Sequence, residues 1–119
     1  VYKRQYLDRQ ADSAAAELRP ALARAAGRPV TFGWGPRFLH STGQLHKGGP
    51  ATGVFLQITA DAEPDLMVPG QPFGLSRLIA AQARGDAAVL REQGRPVLSL
   101  HLTDRAAGLA AVRRAVDTL

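Results

Sequence analysis

Two strand-like runs, Gly53-Val-Phe-Leu-Gln-Ile-Thr59 and Arg95-Pro-Val-Leu-Ser-Leu-His-Leu-Thr103, flank a helical stretch from Leu75 to Gln93. This spacing constrains the fold more than any other feature of the chain. Strands separated by a helix of that length cannot close as a hairpin; they pair in parallel through a right-handed crossover. A shorter strand, Pro29-Val-Thr-Phe32, precedes a short helix over residues 36–47, with Pro36 at its start and Gly48-Gly49-Pro50 at its end. The expected order is α-β-α-β-α-β-α, in an α/β fold with a three-layer parallel sheet and helices on both faces. Three strands are few for such a sheet, so at least one further strand or a partner domain is expected.

The helices carry their own signals. Leu7, Ala11, Ala14, Ala15, Leu18, Leu22 and Ala25 recur at helical spacing, Pro20 should kink or split that run, and Gly27 supplies a stop. Asp61 to Pro72 reads as an extended loop. The long helix is expected to break at Gly85-Asp86, with Asp86 capping a second segment. Asp104 caps a last helix whose apolar stripe is Leu109, Val112, Val116 and Leu119. Val1-Tyr-Lys-Arg-Gln5 looks unrelated to the helical run after it; it is read as a truncation or assembly scar, leaving 6–119 as a partial domain.

Composition narrows the function classes. At 45% apolar residues the chain can bury one core, and it holds no cysteine for disulfides or thiolate metal sites, which suits a reducing cytoplasm. No apolar run reaches the ~20 residues needed to span a bilayer. Fifteen basic residues against ten acidic give a net charge of +5. They are mostly arginines spread along the chain, without a basic block interleaved with aromatics, so neither nucleic acid nor a membrane is an expected partner. Arg91/Glu92 and Arg114/Asp117 read as solvated helix faces.

Chemistry concentrates in Phe38-Leu-His-Ser-Thr-Gly-Gln-Leu-His-Lys-Gly-Gly-Pro50. His40 and Gln44 are four apart and share a helix face, where an imidazole can move a proton and an amide can orient a hydroxyl. A histidine satisfied by a neighbour is the plain alternative. His40 and His46 have the wrong spacing for a joint metal site, and no cofactor loop is present. The helix start at Gly35-Pro36 could hold an anion or be only a helix start. His101 alternates with Leu100 and Leu102, so it points to the face opposite theirs and reads as a polar residue at a sheet end. Trp34, Phe55 and Met67 read as packing.

Phe38-Leu-His-Ser-Thr-Gly-Gln44, with Lys47-Gly-Gly-Pro-Ala-Thr-Gly-Val-Phe-Leu-Gln57, resembles the second sugar-isomerase half of glucose-6-phosphate isomerases. The likeness is to the actinobacterial type and to the isomerase part of fused transaldolase–isomerases. Gln71-Pro-Phe, Leu78 to Ala83, Gly85-Asp86 and Arg95 to Leu98 extend it over roughly residues 6–103. The resemblance implies interconversion of glucose 6-phosphate and fructose 6-phosphate without metal or cofactor. It gives His40 the proton transfer that opens the sugar ring, with Ser41, Gln44, Lys47 and Arg77 as substrate-binding residues. It also implies a sugar-phosphate substrate, a missing N-terminal isomerase half and a homodimer. Two departures stand out. Arg24 occupies the position of the glutamate that moves a proton between C1 and C2. Arg77 or Gln82 falls where the family has a lysine. Arginine cannot serve as a base near neutral pH, so a non-catalytic sugar-phosphate binding or dimerisation module is the alternative.

Overall fold

The computed structural model describes residues 2–36, 42–61 and 64–119. Four parallel strands, β1 (Tyr2–Tyr6), β2 (Thr31–Trp34), β3 (Phe55–Ala60) and β4 (Val97–Leu102), form one sheet in the order β2-β1-β3-β4. Among the described residues, four α-helices join or follow them: α1 (Leu18–Ala26), α2 (Thr42–Gly48), α3 (Leu75–Glu92) and α4 (Arg105–Asp117). Among the described residues no helix is long and apolar enough to cross a membrane.

The additional strand that a three-strand sheet calls for lies in the segment read as a scar. Residues 2–6 form an interior strand, pairing with β2 on one side and β3 on the other, so the order begins with β rather than α. Tyr-Lys-Arg-Gln-Tyr has no apolar run to advertise a strand; its backbone ladders to two neighbours secure its place.

β3 is buried without interruption from Phe55 to Ile58, the pattern of a strand covered on both faces. Leu56 and Ile58 pack with Leu18 of α1 and Leu102 of β4, against which Leu22, Leu109 and Val112 also lie. On the opposite face, Phe55 meets the His46 ring of α2 edge-on at 5.5 Å, and the Gln57 amide donates to the Ala83 carbonyl of α3 at 2.9 Å. Full burial of Phe55 and Ile58 stabilises the sheet by about 1.5–3 kcal/mol each.

The first helical run is split, as Pro20 requires. A 3₁₀ segment (Ser13–Glu17) leads into α1, and Pro20 falls in the first turn, where its missing N–H breaks no bond. Gly27 ends α1 in the left-handed conformation at φ 58°. Pro36 does not open a helix: it follows a cis peptide bond in a turn, and α2 begins at Thr42. α3 is continuous through Gly85-Asp86, because Asp86 is buried against other elements rather than capping. In α4, Leu109, Val112 and Val116 turn inward, whereas Leu119 lies beyond the helix end and is exposed. Asp117 accepts from Arg113 at 2.9 Å, one helical turn back, rather than from Arg114. Met67 is exposed in the loop before α3. The Asp104 side chain caps α4 by accepting from Ala107 N–H at 2.9 Å. Asp104→Ala should cost about 1 kcal/mol, read as a lower urea midpoint at unchanged slope.

Candidate functional site

The chain runs from β1 outward to β2, returns past β1 to β3, and continues outward to β4. Its direction therefore reverses between β1 and β3, and crossovers leave the two strands toward opposite sides. In parallel sheets ligands bind beyond the carboxyl ends of the strands at such a reversal. A cleft of about 1050 Å³ lies there, reaching Tyr6 of β1, Thr59 of β3 and His101 of β4. Gly35, just after β2, also lines it; a Cβ at that position would come within 2.6 Å of the Tyr6 ring.

α3 supplies one wall. Arg77, Ala80, Arg84, Ala87 and Arg91 succeed one another at spacings of three and four, so a single helix face presents three arginines separated by small residues. Successive arginines are seven residues apart, about 10 Å along the axis. Arg91 donates to Ser99 Oγ at 2.8 Å, and Ser99 passes a bond to Gln57 at 3.1 Å. Arg77 and Arg84 have no hydrogen-bond or ion-pair partner among the described residues. Among the described residues, Arg9 and Arg105 complete five arginines on the lining, against two carboxylates, Asp8 and Asp61. Asp8 accepts backbone bonds from Ala11 and Gln10 at 2.7 and 2.8 Å, and these hold its carboxyl below the ordinary range. A carboxylate held down in this way is a weak base. The cleft can thus draw in and hold an anion.

The segment after the cleft's Gly35 carries the histidine motif. His40 and Ser41 lie outside the described residues. Gln44 is exposed on α2. Lys47 points inward: its Nζ is 2.7 Å from Oδ1 of the fully buried Asp86, whose Oδ2 accepts from the Tyr6 hydroxyl at 3.3 Å. Neither Gln44 nor Lys47 lines the cleft; Arg77 does. Arg24 sits in the last turn of α1, which leads into the start of β2, away from the strands' carboxyl ends.

α2 is fastened at its far end by Arg95, a buried side chain that sequence reasoning left without a role. Its guanidinium donates to the carbonyls of Lys47 at 2.8 Å, Gly49 at 2.6 Å and Pro50 at 3.1 Å. The Gly48-Gly49-Pro50 stop thus works through a guanidinium that collects its carbonyls.

The fold and the cleft together define a parallel α/β domain with a basic site at the carboxyl ends of its strands. No family model matches the chain, and no curated protein does. Among solved structures it is similar to hypothetical protein TT0462 from Thermus thermophilus, with a TM-score of 0.78 and 17% sequence identity. The match covers 98% of this chain and 34% of that one, so the chain spans about a third of that protein's length. At this identity the likeness is one of fold.

Proposed function

We propose that the chain is part of a glucose-6-phosphate isomerase-type enzyme, the second sugar-isomerase half of a longer protein with the three-layer architecture of that family. One observation carries the reading: the Phe38-to-Gln44 motif follows directly on a turn whose Gly35 lines an arginine-rich cleft. A cavity with excess positive charge suits a phosphorylated substrate. In this reading His40 moves a proton at the ring oxygen to open the sugar, and isomerisation proceeds through an enediol. Gln44 and Ser41 lie near it in sequence, and Arg77, on the cleft lining, contributes to substrate binding. The homodimer and the N-terminal half belong to the same reading.

In the full-length protein, His40→Ala should lower turnover of the cyclic sugar by roughly 10²-fold, measured as glucose 6-phosphate converted to fructose 6-phosphate. Unchanged turnover overturns the role of His40.

A second reading, a sugar-phosphate binding module without catalysis, draws on Arg24 at the position of the expected glutamate. Incubation with glucose 6-phosphate in deuterated water separates the two. Deuterium at C1 or C2 supports the isomerase; binding without exchange supports the module.

A further inference from the structure

We propose that Tyr6 and Asp86 are positioning residues for the histidine motif: bonded to each other, they hold both described ends of the segment that carries His40. The inference rests on the reading above for the role of His40, and it asks of neither residue a contact with substrate.

Tyr6 closes the interior strand β1, opposite Thr59 of β3, and its buried ring packs with Ala83 and Ile79 of α3. Gly35 lies against that ring. A Cβ there would stand 2.6 Å from the ring's Cδ1 and Cε1, so the chain passes at a distance that only glycine allows. This fixes where the segment begins. At its other end Lys47 places its Nζ 2.7 Å from Asp86 Oδ1. The second oxygen of the same carboxylate accepts from the Tyr6 hydroxyl at 3.3 Å. One bonded pair, from β1 and α3, thus meets the chain before the motif and again after it.

Stability alone does not call for this arrangement. Arg95 already secures the end of α2 through its carbonyls, and an apolar pair of similar volume stabilises a core as well as a buried ion pair does. What the charged pair adds is direction: a carboxylate with one oxygen for an ammonium and one for a phenol sets α2 relative to the Tyr6 ring. That ring lines the cleft, so the motif is referenced to the cleft wall itself.

Tyr6→Phe in the full-length protein tests this, because it keeps the ring against Gly35 and removes only the hydroxyl. It should lower kcat for glucose 6-phosphate about tenfold, a modest cost for a misplaced reacting group, and leave KM unchanged. Asp86→Asn, which keeps an oxygen for the Tyr6 hydroxyl but loses the charge that draws Lys47, should show the same split. A purely structural role would lower the urea midpoint and leave kcat of the folded protein at the parent value; that result in both variants overturns the inference. The imidazole NMR signals of His40 give a second readout, independent of turnover. In both variants they should shift, while the methyl signals of Ile58 and Leu102, in the core on the other face of the sheet, stay in place and certify the fold. Unmoved His40 signals overturn the inference, as does movement of both sets in both variants. If the parent does not isomerise the sugar, the isomerase reading falls and the His40 signals alone decide the positioning role.

Discussion

Lys47→Ala is expected to lower the unfolding free energy by about 3–5 kcal/mol, the range for removing one member of a buried ion pair. The reason is what the truncation leaves behind. The Asp86 side chain has no solvent exposure, and Lys47 retains 15%. Without the ammonium, Asp86 keeps the Tyr6 hydroxyl bond at 3.3 Å but loses the opposite charge that offsets its desolvation. Lys47→Met combined with Asp86→Leu should recover most of the loss, since two apolar side chains carry no charge to strand. Urea unfolding of the single and double variants measures this. A Lys47→Ala loss below about 1 kcal/mol, the ordinary value of an exposed pair, would show that the pair is not an anchor.

Arg95→Ala comes next, with an expected loss of about 3 kcal/mol from hydrogen bonds that a charged donor makes to carbonyls. Three carbonyl oxygens at the end of α2 converge on this one guanidinium. Arg95→Lys should restore less than half of the loss, because an ammonium cannot reproduce the planar fork that spans Lys47, Gly49 and Pro50. Full rescue by lysine would mean that charge near the helix terminus, rather than directed bonding, holds the turn.

These two anchors mark where local reading of the sequence stops. β3 and β4 are legible because apolar residues run through or alternate along them, and α4 because Asp104 caps it and Leu109, Val112 and Val116 keep helical register. β1 is not legible: five mostly polar residues have no pattern, and only pairing with two partners makes them a strand. Asp86 fits a sound local rule, an aspartate after a glycine, but its partner is a lysine on another helix. The cleft is legible in part. The spacing of Arg77, Arg84 and Arg91 is plain in the chain once a helix is assumed, and alternation places His101 opposite Leu100. Which sheet face carries α3, and so whether that alternation leads to a cavity, depends on topology.

The interior position of β1 has a consequence for assembly. Among the described strands, β2 and β3 do not touch each other in the ladder and are joined only through β1, so a change that unseats β1 detaches β2 from the rest of the sheet.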